Sequence, residues 1–455
     1  MKKTALCTAM ALATTGIIAA CGGSGGGNNN NPVAREPDVS LVSVKDNYVS
    51  MAAAVFDDSH LTAVDLQTAI AAFLESPTAD TLEAARTAYK AARKPYQQAE
   101  IYRWDTVSLI GSGDDLSADG GLASVDDWEG QVNAWPLDET KIEYIIDNPA
   151  IYAAINTNLL IDENGTLPIG TEDEANVTTG VHAIEFMLWD RDVSAQGPGP
   201  RVATEFGSNA TCAITPAITE CRNSAYLQAA ADLLVDDLVA MKAEWKVDTT
   251  DSDITLAEHF LSFDEEAFGY ILQSIASMAV GELGGARLSA GLWRPADTQP
   301  TGILKTGDYE EEHDCFSDLS HTAVYYNFQG IVNAFEGTYT RIDGSVVGDT
   351  TQSFGAFVNS IDAQSYTDLS DKLAEIQTDM DMIFDAGEAG TKSFDGIISD
   401  SESAYENPGD GVRSDELIAL ESAIQGLGEV EEITKVIAEA SAIAGFDSTQ
   451  TGETD

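Results

Sequence analysis

The residues best suited to chemistry are His182 and Glu185, in the run Gly180-Val181-His182-Ala183-Ile184-Glu185. Three apart on a helix, they share one face, with Cβ atoms roughly 5–6 Å apart. At that spacing an imidazole nitrogen and a carboxylate oxygen reach one divalent metal. The same spacing also makes an ordinary surface hydrogen bond, so the pair alone defines no site. Gly180 costs about 1 kcal/mol relative to alanine inside a helix. Its presence predicts close approach by a backbone or ligand, or a simple packing contact. Two ligands on one helix bind weakly, so other segments must complete the shell. The candidates are Glu100, with Arg103 three residues on, and His313, Asp318 and His321 in a segment dense with acids. Imidazole with carboxylates suits iron or another divalent metal, hard oxygen ligands dominating. A zinc peptidase would need three protein ligands, an open position for water and a general base. His259, His313 or His321 could supply a third ligand, but H-E-x-x-H is absent, position 186 being Phe186. Catalytic roles stay unassigned, with Glu185 and Arg103 as the candidates and Arg287 as a second cationic stabiliser.

The elements that must position these residues read as nearly all helical. Thr171 as cap, with Glu174 at the reciprocal position, predicts one helix from near Glu172 through Glu185. Upstream, helices are expected over Val39 to Phe56 and Leu61 to Leu74, with His60 at the break between them. A longer one spans Thr78 to Trp104, kinked at Pro95. Asp105 to Gly130 reads as loop, Glu139 to Ile146 as a short helix, and Val193 to Arg222 as an irregular excursion. Helices resume over Ser224 to Trp245 and Thr255 to Val280, and the run from Gly281 to Trp293 leads out into a loop. In the second half, Tyr309 to Tyr339 places His313 and His321 eight apart, two turns on one face. A turn or small hairpin follows, then helices near Ser365 to Phe384 and Ser414 to Ala444. Trp135, Trp189, Trp245 and Trp293 are expected in the core or between lobes. The fold class is all-α: two helical-bundle lobes, 37–300 and 301–447, with a cleft between them and an ancient duplication as one origin. Residues 448–455 read as a frayed tail.

Composition and termini bound the setting. The 455 residues carry a net charge of −53. Such a chain repels nucleic acid, and most of its carboxylates serve solubility. Lys2, Lys3 and the apolar run Ala5 to Ala20 form a targeting segment (1–20) too short to span a bilayer. Small residues before Cys21 predict lipidation there, and 21–36, rich in glycine and asparagine, is a flexible tether. No later stretch is long and apolar enough to be transmembrane. In an oxidising envelope Cys212 and Cys221 are the expected disulfide pair, leaving Cys315 as a buried thiol or soft ligand.

Several segments together resemble the imelysin family, in its iron-regulated protein A branch. They are the G-x-H-x-x-E run at Gly180–Glu185, PYQQAEIYRW, VNAWPLDE, AQGPGPR, GELGGARL, HDCFSDLSH and TYTRIDGSVVG, in this order over nearly the whole mature chain. The branch usually reads CFSDNTH, where this chain has Leu319-Ser320. The resemblance implies an all-helical, two-lobed envelope protein linked to iron acquisition, in a family also classed as metallopeptidase. By position it points to His182, Glu185, Glu100, Arg103 and the segment from His313 to His321. The expected function is an envelope-anchored lipoprotein, outer-membrane sorted, that binds a divalent metal, iron, or zinc if it is a peptidase. Its partners are a metal ion or chelate and iron-uptake proteins of the envelope; it meets membrane through its lipid anchor only. A non-catalytic receptor for a peptide or chelate is the remaining alternative.

Overall fold

Helix α1, Leu41–Glu75, runs without a break through the Asp57-Asp58-Ser59-His60 stretch that reads as a helix end. The polar residues there find partners that leave the helix intact. Asp58, fully buried, accepts from Arg341 Nη2 at 2.6 Å, Tyr339 Oη at 2.9 Å and the Ile342 amide at 3.1 Å. Ser59 Oγ turns back to the Val55 carbonyl at 2.8 Å. Sequence patterning cannot see a salt bridge from 283 residues away, which is why His60 reads as a break.

The computed structural model describes residues 39–104, 125, 128–165, 175–191, 197–247, 254–293, 307, 309–407 and 411–444. The leader, Cys21, the tether, Thr171, Glu174 and the tail lie outside the described residues. The described residues, from 39 on, belong to one compact unit.

Helix α2, Ala79–Ala99, opens on a reciprocal cap: Thr78 Oγ1 accepts from the Thr81 amide and Thr81 Oγ1 from the Thr78 amide. Each such cap contributes about 1 kcal/mol. Pro95 lies inside it, and the chain then tightens into a 3₁₀ turn, Glu100–Tyr102. Short helices α3 (Glu129–Val132), α4 (Glu139–Asp147) and α5 (Thr157–Glu163) follow. Next come α6 (Gly180–Trp189), α7 (Asn209–Cys212) and α8 (Thr219–Glu244). The segment expected as one helix over Thr255 to Val280 is α9 (Leu256–Ser262), α10 (Glu266–Ala276) and a π-helix, Ser277–Leu288. The run from Gly281, expected to lead out into a loop, is helical through Leu288. The remainder is α11 (Ser320–Glu336), a hairpin of β1 (Thr338–Thr340) and β2 (Val346–Gly348), α12 (Phe354–Ile361), α13 (Ala363–Glu388), α14 (Phe394–Glu406) and α15 (Asp415–Ala444). The strands pair antiparallel, Tyr339 opposite Val347. Among the described residues the chain is all-α apart from this hairpin. Helices α5 and α12, seven and eight residues long, are shorter than the window in which helical periodicity shows.

Helix α1 packs on α2 and α8, α2 packs on α11, and α15 packs on α13 and the π-helix. One aromatic cluster fixes the chain where α2 ends. Tyr48, Tyr102, Trp245, Phe260 and Tyr270 stack edge to face or tilted with centroids 4.7–6.4 Å apart. Their polar tips hold successive carbonyls: Tyr48 Oη that of Ile101, Trp245 Nε1 that of Tyr102, Tyr270 Oη that of Trp104. Each bond contributes roughly 0.5–1.5 kcal/mol, and together they aim Glu100 and Arg103 inward. Cys212 and Cys221 form a disulfide, and Cys315 is buried outside it. No helix among the described residues is long and apolar enough to cross a membrane.

Candidate metal centre

Helix α6 starts eight residues later than the reading from near Glu172, because Gly180 takes a left-handed φ of +77° that no preceding helical turn can enter. A Cβ there would stand 2.4 Å from the Val132 carbonyl oxygen. Close backbone approach is thus the reason for this glycine, at the first turn and not the interior of the helix. The contact locks α6 onto the end of α3 and leaves every residue of α6 buried.

Two residues on, His182 Nδ1 is 3.0 Å from Glu185 Oε2. The other Glu185 oxygen accepts from the Ser317 amide at 2.9 Å and from Ser317 Oγ at 2.5 Å. Residues 313–318 form consecutive turns, with Asp318 at φ +57°, and α11 begins only at Ser320. His313 and His321 therefore do not share a helix face, contrary to their spacing. The turns instead bring Asp314 to the pair. One ligand atom each from His182, Glu185 and Asp314 lies within 4.8 Å of the others. All three residues are essentially inaccessible, at 1%, 0% and 0% exposure. The His313 ring stands 4.8 Å from that of His182, and Trp135 lies tilted against His182 with centroids 4.8 Å apart and edge-on to His313 at 6.3 Å.

Asp314 is held by a fork. Arg93 Nε and Nη2 donate to its two oxygens at 2.9 and 3.1 Å, while Arg93 Nη1 donates to Asn133 Oδ1 at 2.8 Å. Asn133 Nδ2 then reaches Glu129 at 2.9 Å. Beyond it lies a second buried ionic group: Glu100, Arg103, Glu129, Glu282 and Arg287. Arg287 pairs with Glu100, Arg103 Nη1 with Glu129 at 3.1 Å, and Arg103 Nη2 with Glu282 at 2.5 Å. Asn327 Nδ2 also donates to Glu100 at 3.2 Å.

The sequence-predicted ligands thus divide. His182 and Glu185 meet in the triad and His313 stands beside it. Glu100 does not join: Arg287, Asn327 and Arg103 already claim its oxygens. Asp318, at the end of the turns, and His321, in the first turn of α11, stand on another face, where His321 Nε2 meets Glu388 at 3.3 Å. His259 packs against Phe263 on α9. Sequence reasoning does not single out Asp314, Arg93, Asn133, Ser317 or the ring of Trp135 as parts of this centre. For Arg93 a signal exists. Leu82, Ala85, Tyr89, Ala92, Tyr96 and Ala99 mark the buried stripe of α2, and Arg93 falls on it. An arginine on an apolar stripe requires a buried acid.

The electrostatics favour a cation. Burial, reinforced by the Arg93 charge, pushes His182 down to about 3. Burial and the Arg287 charge hold His313 well below its ordinary value. Both imidazoles are therefore neutral, the form that ligates metal. Burial raises Glu185 to about 7, against the opposing Ser317 hydrogen bonds and Arg93 charge. Burial would lower Arg93, but the Asp314 carboxylate more than offsets this and the guanidinium stays charged. With both acids ionised, the triad and Arg93 sum to one negative charge. His182 Nε2 and His313 Nε2 are buried with no hydrogen-bond partner. A buried unsatisfied nitrogen costs about 1–3 kcal/mol, and a metal ion removes that cost. The donor set, imidazole and carboxylate, fits a divalent cation of the iron type.

Comparison with known proteins agrees with this architecture. Two solved structures share the fold. One is that of an iron-regulated protein A precursor from Parabacteroides distasonis ATCC 8503 (16% identity, TM-score 0.56, covering 87% of this chain and 95% of that one). The other is an imelysin-like protein from Psychrobacter arcticum 273-4 (13% identity, TM-score 0.53, covering 90% and 98%). No curated protein matches the sequence. The profile of the imelysin family matches residues 52–412, from within α1 to the threshold of α15. A match of that extent, with the G-x-H-x-x-E run at its buried centre, means that this chain belongs to the imelysin family.

Proposed function

We propose that this protein binds a divalent metal, iron, at His182, Glu185 and Asp314, with His313 at its edge, and serves iron acquisition without catalysing a reaction. It does so as a lipoprotein anchored through Cys21 to the bacterial envelope, on the outer membrane, where it meets metal ions or chelates and iron-uptake partners. The observation that carries the reading is the buried triad whose His182 Nε2 lacks any other partner. The iron-regulated name of the P. distasonis protein and the Cys21 lipidation pattern support the setting. Complete burial of the three donors supports holding a metal over turning over a peptide, because a hydrolytic metal needs an open position for water and substrate.

The test is metal content and affinity of the wild type, His182→Ala and Glu185→Gln, with circular dichroism as the folding control. Alanine is the best helix former, so His182→Ala should keep α6 while losing metal. Equal metal content in all three proteins would reduce the pair to a structural hydrogen bond. Metal loss accompanied by loss of hydrolysis of an unfolded peptide would give the peptidase reading precedence. Mass spectrometry of the mature N-terminus checks the anchor.

A further inference from the structure

A polar cavity of about 660 Å³ opens on the far side of the turns that carry Asp314. Its volume is that of a small-molecule pocket, yet its lining is charged and hydroxylic: Asp318, His321, Lys392, Ser393, Ser399 and Asp400, with several glycines. Lys392 is neutralised by Asp400 at 2.7 Å. Glu388 already pairs with Lys90 and takes His321 Nε2 at 3.3 Å. A carboxylate at Nε2 makes that nitrogen the N–H, so Nδ1 carries the lone pair. His321 is only 5% exposed, and its Nδ1 has no partner. The wall therefore presents acceptors, with its one lining ammonium already paired, and selects a donor-rich or cationic guest.

The cavity and the triad share a wall. Ser317 donates to Glu185, and Asp318, the next residue, faces the cavity. Among the described residues, the cavity's acids and histidine do not form a cluster with ligand atoms within 4.8 Å, as the triad does. A cation here keeps its water. Six waters need about 180 Å³ at roughly 30 Å³ each, well inside the space available. We propose that this cavity captures the hydrated divalent cation, with Asp318 and His321 as acceptors for its water shell, before it passes to the triad. The inference rests on the triad reading and adds the place where the ion is first held.

A capture site changes rates, not the end state. Ferrous ion is mixed anoxically with the full chain, and quenching of tryptophan fluorescence is followed by stopped flow, Trp135 beside His182 being the reporter. Asp318→Asn, Asp400→Asn and His321→Ala should each slow uptake, the Asp318 variant about tenfold at low salt, at the lower end of electrostatic steering effects. Final stoichiometry should match the wild type, and the rate difference should close at about 1 M salt, where screening is nearly complete. Asparagine tolerates the left-handed backbone at position 318, so that variant should fold, and Asp400→Asn is an independent check. Wild-type rates in all three variants would overturn the capture role and leave the triad untouched. A fall in final stoichiometry for Asp318→Asn would make it an equilibrium ligand and also overturn the inference. His182→Ala retaining wild-type ferrous stoichiometry would instead remove the triad reading itself.

Discussion

Replacing Gly180 by alanine should destabilise the protein and loosen the metal centre together. Two penalties add. Left-handed backbone costs an L-residue roughly 1–2 kcal/mol. The new Cβ would also sit 2.4 Å from Val132 O, 2.6 Å from Val132 C and 2.7 Å from Gln131 O. All three are backbone atoms, so no rotamer change relieves the overlap, and α3 and α6 must part by about an ångström, an overpacking cost of about 1–3 kcal/mol. The sum is about 2–5 kcal/mol. Unfolding entropy near Tm is about 2.1 cal/mol/K per residue, or about 0.84 kcal/mol/K for roughly 400 residues, so Tm should fall by about 2–6 °C. Gly428 in α15 has open space where a Cβ would stand, with nothing within 4 Å, and no left-handed φ. Gly428→Ala should therefore stabilise by about 0.5–1 kcal/mol. Differential scanning calorimetry on both variants reads the sign, and metal titration of Gly180→Ala should show weaker binding, since the displaced helix carries His182. A Gly180→Ala Tm within about 1 °C of wild type would refute the close-approach argument.

Metal affinity should depend on the Glu185 proton more than on histidine. A cation displaces that proton, so affinity should fall by up to tenfold per pH unit below about 7 and flatten above it; Glu185→Gln should flatten the profile, read by competition titration from about pH 5.5 to 8.5. Arg93→Met leaves Asp314 buried without its counter-charge and should cost about 3–5 kcal/mol in urea unfolding, with Arg93→Met/Asp314→Leu recovering much of the loss. Burial raises Asp237 to about 7, its Gln131 hydrogen bond opposing. An acid with a raised folded pKa stabilises fully below its unfolded value near 3.8 and loses that contribution as pH climbs to about 7. Asp237→Asn should therefore gain stability over wild type by up to about 4 kcal/mol between about pH 4 and 8; denaturation midpoints that shift in parallel across that range would contradict this.

Local chemistry makes much of the molecule legible. Local patterning reports the all-α class, α2 as far as Ala99, the hairpin after Tyr339 and the face shared by His182 and Glu185; the helix read through to Trp104 gives way instead to the 3₁₀ turn at Glu100–Tyr102. What escapes is decided by partners far along the chain. The stretch around His60 reads as a helix break, yet α1 runs through it, with Asp58 held by Arg341 from far along the chain. Glu100 reads as a ligand until Arg287 and Asn327 consume its oxygens. Asp314 is hidden in a run of chemically able residues, because turn geometry and not spacing chooses which of them faces α6. Trp135 reads as plain core, and only the fold sets its ring against His182.

The π-helix at Ser277–Leu288 has a consequence for how the gene can change. Its hydrogen bonds reach five residues back where an α-helix reaches four. Glu282 and Arg287, five apart, therefore stand together, 3.5 Å from each other, and clasp Arg103 and Glu100. Deleting one residue between them while ordinary winding returned would leave the two four apart, one α-helical turn, still on one face and able to pair. The length of this segment is therefore tied to its winding and not to the pair itself. Functional descendants can differ here by one residue with the clasp on Arg103 and Glu100 kept, provided the segment rewinds as it shortens.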